Sequence, residues 1–327
     1  MNRMHALLVL LTDGRQHSGE ALGHALGISR AAVWKLIARL RELGVAVLAV
    51  PGNGYQLQDR FELLDGVAIM DALKPQASKL LQALDTALNV ESTNQTLLVD
   101  AARAERPRVL LAETQTAGRG RRGRAWYSPF GASLYLSMLW PFSELRSGLS
   151  GLSLVVGLAV AEAMETALGL TVQLKWPNDV VHGGRKLAGI LLEVAGEPNG
   201  PCRVVVGVGI NCRLPPDAAT AIDQPWTDVA SLLNEQSPVA LDRNRLAAAV
   251  IDALCQRLPL FAREGFQAFH EEWNQHDALA GRQVVMQAGD QSHPGIMVGV
   301  SPEGALLLDE GAGPQPWVSG EVSVRTS

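Results

Sequence analysis

Apolar and polar positions follow three different rhythms along this chain. Over the first 57 residues the rhythm is helical. Residues 4–11 hold apolar side chains at helical spacing and stop at Asp13-Gly14. Ser18 opens a second helix, 20–26, that ends at Gly27. Ser29 opens a third, with Val33, Leu36, Ile37, Leu40 and Leu43 on one stripe and Gly44 behind it. Two helices joined by a short turn containing Gly make a helix-turn-helix. The runs 45–50 and 55–57 flank Pro51-Gly52-Asn53-Gly54 and predict a hairpin, or wing.

A linker and a short helix, 65–73, lead to a second region, where from about Leu84 strand-like and helix-like runs alternate. Strands are expected at 87–90, 109–114, 133–140, 186–194 and 204–210. One more closes at Lys175-Trp176, because Pro177 cannot donate to a ladder. A long apolar helix is expected over 147–168, with further helices over 241–261, punctuated by Pro259, and 265–276. Residues 212–225 are rich in Pro and Ala, lack periodicity and predict a lid or binding loop. The third rhythm begins near Ala280 with short alternating runs between Gly, Pro and acidic turns, the mark of a small β-barrel. The predicted class is α+β in three domains. These are a winged helix-turn-helix over 1–60, a central mixed sheet with helices over 61–278 and a small SH3-like β-barrel over 279–327.

Composition narrows the function classes. A chain of 327 residues with 47% hydrophobic and 19% charged residues is globular and holds more than one domain. The uncharged apolar run 147–161 is shorter than a bilayer span and interrupted by Gly148, Gly151 and Gly157, so it reads as a buried helix. The apolar N-terminal run lacks a small-residue cleavage site and does not read as a signal peptide. Cys202, Cys212 and Cys255 are widely spaced, which predicts neither disulfide nor zinc site and points to a reducing cytoplasm. The net charge of −5 argues against indiscriminate nucleic-acid binding. It is unevenly spread: residues 1–57 hold six Arg/Lys against three Asp/Glu, so the head is +3 and the rest −8. That division suits a DNA-binding appendage on an enzyme, with Ser29, Arg30, Trp34, Lys35 and Arg39 of the third helix as the DNA-binding set. A small helical domain used for packing or dimer contact is the alternative.

The densest candidate chemistry lies in residues 118–126, GRGRRGRAW. Four arginines (Arg119, Arg121, Arg122, Arg124) alternate with Gly118, Gly120 and Gly123. Each Gly costs a helix about 1 kcal/mol, and no apolar face exists to bury as a strand. A mobile loop is expected, with inward-turned N–H groups and guanidinium forks that hold phosphate or carboxylate. A solvated basic loop or an RGG-like nucleic-acid contact is the plainer reading. Ser92-Thr93-Asn94 either caps a helix or bonds a polar ligand. Lys175, Asn178 and Asp179 gather at a strand end, where sheet enzymes place chemistry. Lys186 opens an apolar strand, so it snorkels to water or faces a ligand. Gly207 and Gly209 weaken their strand unless something approaches the backbone closely. Trp226 stacks on a flat ligand or caps the core.

With these residues in view, the chain resembles the bifunctional biotin protein ligases that also act as biotin operon repressors. The resemblance runs through PGNGYQL, STNQ, GRGRRGRAW, KWPND, RKLAGILLE, GVGIN and the closing GEVSVR. It implies an enzyme that joins biotin to AMP with ATP and Mg²⁺, then biotinylates one lysine of a biotin carboxyl carrier protein. Matched to the family's motifs, Ser92, Thr93, Asn94, Gln115, Gly118, Arg119, Arg121, Lys186 and Gly189 would hold biotin. Arg121, Arg122, Arg124, Trp126, Asn178, Asp179, Asn211, Trp226 and Arg325 would hold the nucleotide. Lys186, Arg121, Asp179 and Lys175 would carry the catalysis, with Asp179 also on Mg²⁺. The implied partners are the carrier protein, operator DNA and, once biotinyl-AMP is bound, a second copy of the chain; no membrane is implied. Ala125 departs from the family, standing where a lysine is common, as do the glycine-rich 181–184 and the composition of the lid. A lipoate-type ligase, a non-catalytic biotin sensor and a ligase without DNA binding are the rival readings.

Overall fold

The computed structural model describes residues 3–324 except 51, 59–61, 100, 146–147, 197–201 and 237–239. Pro51, Ser147 and Arg325 therefore lie outside the described residues.

The head follows its hydrophobic pattern closely. Helices α1 (Arg3–Leu11), α2 (Gly19–Leu26) and α3 (Arg30–Glu42) precede a hairpin of β1 (Val47–Val50) and β2 (Gly54–Leu57), paired Val47↔Leu57 to Val50↔Gly54. Ser18 Oγ accepts from Ala21 N and Ser29 Oγ from Ala32 N, so each hydroxyl satisfies an orphan amide at a helix start. Gly27 ends α2 at φ 62°, a conformation that penalises a side chain. Leu7, Leu8, Leu11, Leu22, Val33, Ile37, Leu40, Val47 and Leu57 form a core of their own, and Leu63, Leu88 and Phe130 of the body pack against it.

The linker is clamped to the body. Arg243, 3% exposed, pairs with Glu113 at 2.8 Å and also donates to the carbonyls of Glu62 and Ser133. Glu113 Oε1 accepts from Leu64 N at 2.6 Å, and Asn244 Oδ1 from Asp65 N at 2.8 Å. Then come α4 (Gly66–Ala72) and α5 (Pro75–Leu80). The second of these was not foreseen: Pro75 opens a helix, where its missing N–H is no loss, instead of ending one.

The central sheet has seven strands: β3 (Ala83–Ala87), β4 (Arg108–Ala112), β5 (Ser133–Phe142), β6 (Gln173–Lys175), β7 (Asp179–His182), β8 (Arg185–Gly196) and β9 (Cys202–Asn211). Their order is β3-β4-β5-β9-β8-β7-β6, parallel between β3 and β4 and antiparallel elsewhere. The first strand lies four residues before the expected 87–90. Ladder pairing ends at Ala87↔Ala112, and Val90 keeps only a bridge to Gln115. Helix α6 (Thr93–Val99) lies on one face, and α7 (Leu152–Leu168) and α10 (Arg243–Glu264) cover the other. Helix α7 starts later than expected because Gly148 and Gly151, at φ 65° and 75°, turn the chain before it. Helix α10 continues through Pro259 until Gly265 at φ 69° stops it.

Between them, the stretch expected to be unstructured contains a short helix, α8 (Ala218–Ala221), followed by α9 (Val229–Gln236). Leu214 and Ala218 pack with Ala132, and this anchors the lid. After α11 (His270–His276), strands β10 (Gln283–Ala288), β11 (Gln291–Val300), β12 (Leu306–Asp309), β13 (Pro314–Trp317) and β14 (Glu321–Val324) form an antiparallel sheet in the order β13-β12-β11-β10-β14. Val284, Met286, Met297, Leu306 and Leu308 join the same apolar core as α7 and α10.

Candidate functional site

Strand alternation divides the sheet chemically. On β5 and β9, Leu134, Leu136, Met138, Val204, Val206, Val208 and Ile210 face the helical core. Of the residues between them, Tyr135, Gly207, Gly209 and Asn211 line a cavity of about 740 Å³ on the other side, and Ser137 is buried beneath Thr93 and Asn94. Two strand glycines there, and Gly189 on β8, form a floor without side chains. A Cβ on Gly209 would lie 2.7 Å from the Trp126 ring, one on Gly189 2.8 Å from it, and one on Gly207 2.4 Å from Asn94 Oδ1. The close approach that these glycines require is thus supplied by the indole of Trp126 and the amide of Asn94.

Beside that floor runs a chain of neutral polar groups. Gln115 Oε1 accepts from Thr93 N at 2.9 Å and from Thr93 Oγ1 at 3.1 Å, while its Nε2 donates to Ser128 Oγ. Ser137 Oγ lies 2.7 Å from Thr93 Oγ1 and donates to Asn94 Oδ1 at 2.6 Å. Asn94 Nδ2 donates to Glu193 Oε2 at 2.8 Å. Ser92 Oγ accepts from Gln95 N at 3.4 Å, so it caps α6 while also lining the cavity. The two readings of this triplet coexist.

The cationic side is formed by three segments. Residues 118–126 close on themselves, with amides bonded within the segment where inward-turned N–H groups were expected. Arg119 bridges Ala125, Gly120 N donates to Arg124 O at 2.7 Å and Trp126 N to Gly118 O at 2.9 Å. The tip is a 3₁₀ turn, Arg121–Gly123, with Arg122 at φ 56°. Because these amides are occupied within the segment, the guanidinium groups are left to carry its charge. Arg121 NH1 donates to Asn178 Oδ1 at 3.2 Å, and the backbone of Ile190 orients Asn178 through Nδ2 and through the carbonyl. Arg119 NH1 is 3.9 Å from Glu193 Oε1. Lys186 Nζ lies 2.8 Å from Asp179 Oδ1, a close ion pair without hydrogen-bond alignment, and 5.4 Å above the Trp126 ring. Lys186 is fixed by its backbone, since its N donates to Pro225 O and its O accepts from Thr227 N. Asn211 Nδ2 donates to the carbonyls of Lys186 and Thr227.

The cavity therefore gathers Ser92, Thr93, Asn94, Gln115, Arg119, Arg121, Arg124, Trp126, Lys175, Asn178, Asp179, Lys186, Gly189, Asn211 and Trp226. Gly118 and Arg122 do not line it. Gly118 lies behind the wall, where a Cβ would meet Ser128 Oγ at 2.7 Å, and Arg122 is exposed on the turn. Trp126, matched to the nucleotide, sits among Gly189, Gly209 and Lys186. Burial pushes the Cys212 and Cys255 thiols up to about 12, so neither offers a thiolate at neutral pH. No single-residue signal marked Ser137, Glu193 or Gln287, which the fold brings to the network or the cavity.

In the head, Arg30, Trp34, Lys35 and Arg39 are exposed on one side of α3, while Ser29 is engaged as its cap.

Residues 87–211 match the biotin/lipoate A/B protein ligase family, 3–56 an HTH domain and 280–325 the biotin protein ligase C-terminal domain. The bifunctional ligase/repressor BirA of Escherichia coli strain K12 is 40% identical over 98% of this chain and 97% of its own length. The chain belongs to the biotin protein ligase family. A second ligase, the biotin--[acetyl-CoA-carboxylase] ligase of Paracoccus denitrificans, is 34% identical over 71% of this chain and 96% of its own. The biotin protein ligase of Aquifex aeolicus, solved in complex with biotin and ATP, superposes with a TM-score of 0.63 at 31% identity. It covers 75% of this chain and 100% of its own. Among the described residues no helix is long and apolar enough to cross a membrane.

Proposed function

We propose that the protein activates biotin with MgATP to biotinyl-5′-AMP and passes the biotinyl group to one lysine of a biotin carboxyl carrier protein. Loaded with the adenylate, it pairs with a second copy and represses the biotin biosynthesis operon through paired winged helices. The observation that carries this reading is the meeting, in one cavity, of a neutral hydrogen-bonding row and a cationic wall. The row of Thr93, Asn94, Gln115 and Ser137 suits the uncharged head of biotin. Arg119, Arg121, Arg124 and Lys186 suit a carboxylate and a phosphate that repel each other and must meet. Support comes also from the full-length likeness to a ligase/repressor and from the likeness to a ligase holding biotin and ATP.

The chemistry needs no protein nucleophile. Lys186 and Arg121 neutralise charge as the biotin carboxylate attacks the α-phosphate and pyrophosphate leaves. Asp179 holds Lys186 in place beforehand and, in the second step, takes the proton of the incoming lysine. Among the described residues no cluster of three His, Cys, Asp or Glu could hold a metal ion. This fits Mg²⁺ that arrives with the nucleotide phosphates and needs one carboxylate, Asp179, from the protein. Bound there, the ion would neutralise phosphate charge.

Pyrophosphate release tests the first step, with a requirement for both biotin and ATP as the expected result. Label transfer to a biotin acceptor domain tests the second. Tight binding of lipoate with no binding of biotin would overturn the reading. A mobility shift of biotin-operon control DNA, strengthened by biotin plus ATP, tests the repressor half.

A further inference from the structure

Helix α3 exposes a residue whose size and placement its own fold does not use. Val33, Ile37 and Leu40 face the core of the head. Beside that stripe Trp34 is 60% exposed, the one aromatic among the large apolar side chains that the described residues leave exposed. The residues one turn away, Arg30 and Ala38, and Ala31 beside them, leave the ring unshielded from solvent. Lys35 and Arg39 are exposed farther round the same helix. The stem of Arg30 lies over Gly19, where a Cβ would lie 3.3 Å from Arg30 Cγ and 3.5 Å from the Tyr55 ring. The start of α2, the wing and the start of α3 thus meet at Arg30, one helical turn before the exposed Trp34.

That combination narrows the occupant. The head is +3 on a body of −8, so an anionic partner approaches the head. In the major groove, phosphates take the cations of the helix, and the apolar group offered at the base edges is the thymine 5-methyl. We propose that Trp34 reads a thymine of the operator half-site through its 5-methyl group, with Arg30, Lys35 and Arg39 fixing the helix against the backbone. The proposal rests on the DNA-binding reading above and adds the base that is read.

The test uses the full-length protein with biotin, ATP and Mg²⁺. Duplexes are selected from a random-sequence pool, and each thymine of the enriched site is then replaced singly by deoxyuridine, which lacks only the methyl group. At one thymine per half-site, deoxyuridine should weaken wild-type binding by about fourfold, the weight of one buried methyl group. The Trp34→Ala variant should bind the thymine duplex more weakly and no longer distinguish thymine from deoxyuridine, whereas Trp34→Phe should retain the distinction. Tolerance of every deoxyuridine within experimental error by wild-type protein, a measurement that needs no variant, overturns the proposal. So does unchanged discrimination in Trp34→Ala, or a Trp34→Ala effect confined to self-association. Failure of the wild-type protein to enrich any sequence is a different result, and it removes the DNA-binding reading itself.

Discussion

The two faces of the central sheet come from the same strands and differ by one residue of register, yet one is a packed core and the other a binding floor. The pair Leu136↔Val208 packs into the helical core and is almost fully buried, while in the next pair, Ser137↔Gly207, Gly207 lines the cavity and Ser137 is buried against Thr93 and Asn94. On the first face large branched side chains fill space against α7 and α10. On the second, small residues keep space open, and what fills it comes from other segments: Trp126 from the glycine–arginine segment, Asn94 from α6 and Lys186 from the start of β8. A core is stabilised by volume and a site by its controlled absence, and a pleat of period two lets one strand do both.

The largest effect that would test this division is Lys186→Ala. Removing the cation from the cavity side should slow biotin- and ATP-dependent pyrophosphate release by roughly 10²–10³-fold, as for loss of a preorganised charge-stabilising group. The melting temperature should move by only a few degrees. A comparable drop in stability would mean that Lys186 belongs to the core's economy and not to the site's.

Next comes a matched pair one residue apart across the sheet. Leu136→Ala on the core face should cost about 2–5 kcal/mol of unfolding free energy and leave biotin affinity of the folded protein unchanged. Gly207→Ala on the cavity face adds one methyl group 2.4 Å from Asn94 Oδ1. Displacing Asn94 disturbs Ser137 and Glu193, so biotin binding measured by calorimetry should weaken by about tenfold, within the roughly 1–3 kcal/mol range of overpacking. If instead Leu136→Ala weakens binding and Gly207→Ala does not, the two faces are not separable. Arg121→Gly should leave stability unchanged and hasten escape of the adenylate by about 10- to 100-fold, the weight of one charge-assisted hydrogen bond. Unchanged retention of labelled adenylate would exclude it from holding the ligand.

How much of this was legible beforehand depended on whether the information was local. The head read almost to the residue, because caps, stripe and αL glycines are encoded within a few positions of each other: Ser18, Gly27, Ser29, Gly44. The site's loops were legible as chemistry, since arginines alternating with glycines have few structural uses. Their shape was not. Whether the amides of Gly120 and Trp126 turn inward or bond within the segment depends on carbonyls that only the folded turn brings near. Ser137 carries no sequence signal, being one serine in an apolar strand; its meaning comes from facing Thr93 and Asn94 more than forty residues away. Gly207 and Gly209 stood between the two cases. Their cost to a strand announced a close neighbour without identifying the indole and amide that fill the space.

The smallest effect concerns the exception on the packed side. Asp277 sits where the third domain joins, its backbone bridged to Leu174 and followed by the buried Ala278 and Leu279. Its Oδ1 accepts from Leu279 N at 2.9 Å, whereas its Oδ2 is buried with no partner among the described residues. Burial is the dominant cause that pushes its carboxyl up to about 6, against backbone hydrogen bonds that pull it down. The native protein therefore holds this proton where the unfolded chain has released it. Stability is unaffected below about pH 4, declines as pH rises through the window from 3.8 to 6, and is level above it. Asp277→Asn removes the charge and keeps the acceptor. The cost of burying the amide is the same at both pH values, so the variant should gain about 1 kcal/mol at pH 7.5 and lose about 1–2 kcal/mol at pH 4. Paired thermal melts of both proteins at the two pH values read the difference directly. An equal gain at both would show that packing, not the charge, is what the substitution changes, and the packed face would then tolerate a carboxylate as readily as the cavity does.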